Sequence, residues 1–346
     1  MATIKEVARR ARVSVGTVSN VLTGACPVRP HLRERVEEAM RELNYQINHV
    51  ARSLKTRQTR TIAMIISDIS NPFFPSMMRG AEDAAMKYNY VLLTFNTDDR
   101  VERENHVLSV LRLRRVDGLL LVPALERSDA AEIQALIEAG TRVVCVDRVP
   151  PGLDVDAVTA TNARGAREGV RHLIGLGHSR IAMLAGTAKL KCNITQERVR
   201  GYKEALREAG IPFDPNLVRA GDFRRESGYR LGLELLSLKP RPTAFYSCNC
   251  LMTLGFVRAL RETGLQCPGD AAVVTFDDME VADVFRPQLT SIAQPSYELG
   301  YQAAELLIHR LDGLRNDESP IRIQLKTELK VRESTAGAPE SAAYRK

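Results

Sequence analysis

The residues best equipped for chemistry stand just behind short apolar runs. Ser67-Asp68-Ile69-Ser70-Asn71-Pro72-Phe73-Phe74 follows one such run and Asp147-Arg148 another. Asn249 follows Phe245-Tyr246-Ser247, and Asp277-Asp278 follows Val273-Val274-Thr275-Phe276. Arg198 and Phe223 fall near the starts of amphipathic segments. Carboxylates, amides and a guanidinium fork exchange hydrogen bonds with hydroxyl groups, and an aromatic face stacks on a sugar ring. The set suits carbohydrate binding. Blander alternatives stay open from the residues alone. Asn71-Pro72 reads also as a turn, Phe73 or Phe74 as core, and Asp147-Arg148 as a surface ion pair worth less than ~1 kcal/mol. Catalytic patterns are missing: there is no Walker loop, Gly-x-Gly-x-x-Gly, His-Glu-x-x-His or Gly-x-Ser-x-Gly. The six histidines are scattered, and Cys248-x-Cys250 has no histidine at metal spacing. No enzyme activity, metal or cofactor is expected.

A second chemistry sits near the N-terminus. Thr3-x-x-Glu6 has the form of a capping box, which starts a helix at Ile4 with Val7, Ala8 and Ala11 on its apolar side. After a break at Arg12-Val13, Ser14 caps a second helix carrying Val15, Val18, Val21 and Leu22 and ending at Thr23-Gly24. A third begins near Pro30. Two short helices joined by a three- or four-residue turn have helix-turn-helix spacing, in which the second helix enters the major groove. With its apolar side turned inward, Gly16, Thr17, Ser19 and Asn20 face outward. Asn reads adenine through N6 and N7, while Ser and Thr suit phosphate or base edges.

Charge agrees. The 346 residues carry a net +7, and residues 1–60, with twelve Lys/Arg and five acids, account for all of it. A basic arm on a neutral body suits a polyanion. The longest apolar stretch, Leu119–Leu125, is far short of the ~20 residues of a membrane span. Met1–Glu6 bears charges where a signal peptide is apolar. The six cysteines show no Cys-x-x-Cys and suit a reducing compartment. A cytoplasmic protein is expected.

The elements that must position the polar clusters alternate. Strands are predicted at 61–66, 91–95, 118–122, 143–146, 180–185, 244–247 and 272–276, with helices at 74–87, 101–113, 163–176, 196–208, 226–236 and 251–262. Such alternation builds parallel sheets covered by helices, with ligands beyond the carboxyl ends of the strands. About 270 residues exceed one comfortable core, so two lobes are expected.

Val13-Ser14-Val15-Gly16-Thr17-Val18-Ser19-Asn20-Val21-Leu22 resembles the signature of the lactose/galactose repressor (LacI/GalR) family, as does Ala51-Arg52-Ser53-Leu54-Lys55. The similarity continues to Thr327-Glu328-Leu329-Lys330-Val331-Arg332-Glu333-Ser334. The resemblance implies an N-terminal all-α helix-turn-helix domain with a hinge helix, followed by an α/β two-lobed periplasmic-binding-protein-like domain. The expected divisions are residues 1–46, a hinge at 47–60, a body at 61–335 and a flexible tail at 336–346. Chain crossovers near Thr161, Ile292 and Ile321 put 61–161 and 293–321 in the first lobe, and 162–292 and 322–335 in the second.

The same resemblance implies operator selection at the positions of Val15, Gly16 and Asn20. It also implies a hinge helix in which Leu54, within Ala51-Arg52-Ser53-Leu54-Lys55, wedges into the minor groove and kinks the duplex. Asn48–Thr56 is shorter than helices stable alone, so it is expected to order only on DNA. Phe73, Phe74, Arg198, Phe223, Asn249, Asp277 and Gln294 match positions that line the effector site. Cys250 departs from the family, which usually has Asp there. The implied protein is a homodimeric or tetrameric regulator, most plainly a repressor, that binds a pseudo-palindromic double-stranded DNA operator under control of a small-molecule effector, a sugar or sugar derivative. The alternatives are a sugar-binding transport protein and a nonspecific DNA-bending protein.

Overall fold

A computed structural model describes residues 2–23, 26–45, 58–114, 116–125, 130–186, 193–279, 284, 286–315 and 319–336. The expected hinge helix, with Ala51, Leu54 and Lys55, and nearly all of the expected tail lie outside the described residues. The chain forms two compact units, one ending at Thr59 and the other beginning at Arg60.

In the first unit, helices α1 (Ile4–Ala11), α2 (Val15–Thr23) and α3 (Pro30–Glu42) enclose a small core of Val7, Ala8, Ala11, Val18, Val36 and Ala39. The capping box is formed: Glu6 N donates to Thr3 Oγ1 at 3.3 Å and Thr3 N to Glu6 Oε2 at 2.7 Å. Arg12 closes α1 in the left-handed region, φ 51°, and Arg35 of α3 donates to Ala11 O at 2.6 Å. These contacts give the spent carbonyls of α1 partners and fix the turn into α2.

The second unit holds two six-stranded sheets. The first runs β11-β5-β4-β3-β1-β2 and the second β12-β10-β9-β8-β6-β7. The first contains β1 (Thr61–Ile66), β2 (Val91–Asn96), β3 (Gly118–Leu121), β4 (Arg142–Val146), β5 (Asp156–Ala160) and β11 (Arg322–Leu325). The second contains β6 (Ile181–Gly186), β7 (Val218–Gly221), β8 (Ala244–Ser247), β9 (Ala272–Phe276), β10 (Thr290–Ala293) and β12 (Glu328–Lys330). Every pair is parallel except β10 with β12. Burial on both faces explains the continuous apolar runs of β1, β3, β6 and β9.

The chain passes between the lobes three times: at Thr161, at Gln294-Pro295 and at Lys326-Thr327. The third passage differs from the expectation at Ile321. Arg322–Leu325 pairs with β5 of the first lobe, and its Ile323 and Leu325 pack on that lobe's core. Leu329 packs on the second lobe's core. Residues 322–325 therefore belong to the first lobe. The second passage also comes later, because Ile292 is buried in the second lobe and Ala293 pairs with Glu328.

Candidate functional site

One cavity of about 280 Å³ opens between the two lobes and is lined by all ten residues singled out for an effector: Asn71, Phe73, Phe74, Asp147, Arg148, Arg198, Phe223, Asn249, Asp277 and Gln294. The reason is topological. In both sheets the strand order reverses beside the first strand, and loops beyond the carboxyl ends on either side of that point leave a crevice.

Asp147 and Asp277 occupy equivalent places, one directly after β4 and the other directly after β9. Both have left-handed backbones, φ 65° and 72°. The amide of Asp147 donates to Val158 O at 2.9 Å and that of Asp277 to Ile292 O at 3.0 Å. Such a conformation costs about 1–3 kcal/mol in a non-glycine residue and persists because the neighbouring strand holds it. Phe223, φ 64°, is a third case among the lining residues.

Burial pushes both carboxyls above their ordinary range, against the pull of Arg198. Arg198 is itself buried; its Nε donates to Asn162 Oδ1 at 2.9 Å and its guanidinium lies 3.7 Å from the Phe276 ring centre. Arg148 donates through Nη1 to Asp99 Oδ1 at 2.6 Å and Pro123 O at 3.1 Å. At 2% and 4% exposure, Asp147 and Arg148 are not the surface pair that residue type alone allowed. Gln294 Nε2 donates to Asp277 Oδ1 at 2.7 Å. Among the described residues, Asp147 Oδ1 and Gln294 Oε1 are buried acceptors with no hydrogen-bond donor.

Two residues are structural as well as cavity-lining. Asn249 caps the helix Cys250–Glu262 by accepting from Met252 N at 2.9 Å. Its Nδ2 donates to Phe223 O at 2.8 Å. Asn71 Oδ1 accepts from Phe73 N at 3.1 Å, so the turn reading holds, and the same residue lines the cavity. Phe73 and Phe74 meet edge to face at 5.1 Å. Cys250 is buried, and its Sγ lies 3.7 Å from Asn71 Oδ1 of the other lobe. Burial pushes its thiol up, which makes it a poor nucleophile.

Sequence reasoning named Asp68 only as part of the run after β1, and missed Asp98, Asp99, Arg100, Leu125, Ile194, Asp222, Arg224 and Leu251 among the lining residues. Asp68, Asp98, Asp99 and Asp222 also follow strands, so the signal that found Asp147 was present for them. Leu125 is different: an apolar residue gives no sign that it meets Ile194 and Phe223 of the opposite lobe.

In the first unit, Val15 (42% exposed) and Gly16 stand clear of the core. Thr17, Ser19 and Asn20 are half-buried. Thr17 is less free than expected, because its hydroxyl lies 2.9 Å from Ser14 Oγ, which accepts from Thr17 N at 3.0 Å. Among the described residues no helix is long and apolar enough to cross a membrane.

Residues 3–48 match the model for bacterial regulatory proteins of the lacI family, and residues 170–335 match that for a periplasmic binding protein-like domain. The chain is 38% identical over 317 residues to the HTH-type transcriptional repressor PurR of Aliivibrio fischeri (strain MJ11), covering 90% of this chain and 92% of that protein. It is 37% identical over 311 residues to the ribose operon repressor of Escherichia coli (strain K12), covering 90% and 93%. Among solved structures, a lac repressor dimer bound to operator and the anti-inducer ONPF matches with TM-score 0.82 and 29% identity, covering 96% and 99%. An Enterococcus faecium LacI family regulator with bound ribose matches with TM-score 0.72 and 31% identity, covering 80% and 98%. The chain belongs to the LacI family of bacterial regulatory proteins and is a DNA-binding transcriptional regulator with an effector-binding body.

Proposed function

We propose that this regulator is a cytoplasmic homodimeric repressor, without enzymatic activity, whose effector is a neutral sugar of monosaccharide size. The observation that carries the effector class is the pair of buried acceptors without donors, Asp147 Oδ1 and Gln294 Oε1, on the wall of a cavity bearing three phenylalanines. A buried acceptor left without a donor is costly, so the ligand must bring O–H or N–H groups. Six aspartates against four arginines line the cavity, which disfavours a phosphoryl group. About 280 Å³ lies at the low end of small-molecule pockets. The ribose operon repressor among the relatives, and the bound ribose in a related structure, make D-ribose the first sugar to test.

In this reading Asp147, Asp277, Asn249, Arg148, Arg198, Asn71 and Gln294 exchange hydrogen bonds with the hydroxyls. Phe73, Phe74 and Phe223 cover the ring. A purine is the second reading, favoured by the purine-repressor relative. On DNA, Asn20 reads a base edge, Val15 touches a thymine methyl, and Gly16 allows close approach. Thr17 and Ser19 meet the backbone, while Ala51, Leu54 and Lys55 act at the hinge. Two-fold symmetry of the protein then demands a pseudo-palindromic operator.

A thermal-shift screen with sugars, sugar phosphates and purines, repeated on Arg198→Ala, tests the site. A neutral sugar should stabilise the wild type and lose its effect in the variant. A stabilising ligand indifferent to Arg198→Ala would place the effector elsewhere.

A further inference from the structure

We propose that Asp278, which does not line the effector cavity, is the positioning residue that couples occupancy at Asp277 to the hinge between the lobes. This rests on the reading of the cavity as the effector site. Asp277 and Asp278 are adjacent, and the left-handed turn at Asp277 sends their side chains to different places. Asp277 faces the cavity. Asp278 turns toward the strands that carry the interlobe passages.

The partners of Asp278 define its role. Arg332 grips it with both ends of its fork: Nη1 donates to Oδ1 at 2.7 Å and Nη2 to Oδ2 at 3.0 Å. Ser291 Oγ donates to Oδ1 at 2.7 Å and Lys330 Nζ to Oδ2 at 3.0 Å. Ser291 lies on β10, three residues before the passage at Gln294. Lys330 ends β12 and Arg332 follows it, just after the passage at Lys326-Thr327. One carboxylate thus ties the end of β9 to the strands flanking two of the three passages. The third is joined to them, because Thr327 N donates to Thr161 Oγ1 at 2.9 Å. Gln294, in the second passage, donates directly to Asp277.

The grip is firm. Burial alone would raise the Asp278 carboxyl, but the bonds from Arg332, Ser291 and Lys330 outweigh it and hold the group down at about 2. Arg332 Nη1 also donates to Leu289 O at 2.8 Å, which fixes the fork. Bidentate charge-assisted pairs of this kind specify direction as well as distance. The equivalent residue of the first lobe, Arg148, lines the cavity itself. The second lobe has turned the corresponding position to the hinge.

The test uses the full chain, D-ribose, and a palindromic DNA fragment selected by the wild type. Asp278→Asn keeps the shape and removes the charge; Arg332→Lys keeps the charge and removes the fork. Both should weaken D-ribose binding in calorimetry, Asp278→Asn by roughly tenfold or more. Both should shrink the ratio of operator affinities with and without sugar, by about two- to thirty-fold, and leave sugar-free operator affinity unchanged. A lowered melting temperature with ribose affinity and ratio as in the wild type would reduce Asp278 to a structural residue and overturn the proposal. If the wild type binds no D-ribose, the sugar assignment falls, and sugar-free hydrogen exchange still decides the clamp. Faster exchange at 290–294 and 328–332 in Asp278→Asn, with β1–β5 unchanged, upholds it; unaltered exchange there overturns it.

Discussion

At the residue scale, the cavity is built from groups that are individually unremarkable in sequence and become informative by position. Arg198 opposes the burial of the Asp147 and Asp277 carboxylates, and its fork also holds Asn162 and the Cys248 carbonyl. Arg198→Lys, which retains charge but not the fork, should therefore weaken sugar binding by about tenfold or more, measured by calorimetry. Gly16 makes the opposite case. A methyl group added there would meet only Ser14 Oγ, at 3.6 Å, so nothing inside the unit requires glycine. Gly16→Ala should stabilise the helix-turn-helix unit by about 1 kcal/mol in denaturant melts. It should also change operator preference in a selection from random DNA, because the residue faces outward. Of the ten residues singled out, Asn71, Asp147, Arg148, Asn249 and Asp277 were legible because polar residues after apolar runs fall at strand ends, whereas Gln294 came only from the family resemblance. Leu125 and Ile194 were not legible, since their role exists only across the interlobe contact.

At the element scale, most strands and helices could be read from period and punctuation, including β1, β8 and β9 at their observed bounds. The strands missed were β5, β7, β10, β11 and β12. They are short; β7, β11 and β12 lie at or near sheet edges, where alternating exposure such as that of Arg322–Leu325 dilutes the apolar signal. That is also why the third passage was placed too early. Close helix packing does more than fill the core. The helices Arg225–Leu236 and Cys250–Glu262 touch where a Cβ on Gly228 would lie 2.1 Å from Met252 O. Gly228→Ala must push apart the helix whose first turn is capped by Asn249. A loss of about 1–3 kcal/mol is expected in thermal or urea unfolding, together with weaker sugar binding, because Asn249 moves with its helix.

At the scale of the whole molecule, the division of charge was readable directly: a basic head and a balanced body. What composition does not convey is how the body's stability responds to pH. Burial lowers the proton affinity of His172 and His178 below the usual 6.5. His178 Nδ1 pairs with Thr243 Oγ1 and His172 Nε2 with Thr335 Oγ1, both at 2.9 Å. As pH falls through about 6.5 the unfolded chain takes up protons that the folded chain refuses, so stability is lost on acidification below that value. Melting temperature should therefore fall between pH 7.5 and 5.5, and His178→Gln should flatten the decline relative to the wild type. An identical decline in the variant would exclude His178 as a source.

A ligand shifts a conformational equilibrium only by its differential affinity for the two states. The direct measurement is operator binding by the full chain, followed by fluorescence anisotropy with and without saturating D-ribose, alongside Arg198→Ala. The account predicts that ribose changes operator affinity of the wild type by about five- to 150-fold, the span of typical allosteric couplings, and leaves that of the variant unchanged. Equal operator affinity with and without every stabilising sugar, or the same response in Arg198→Ala, would contradict it.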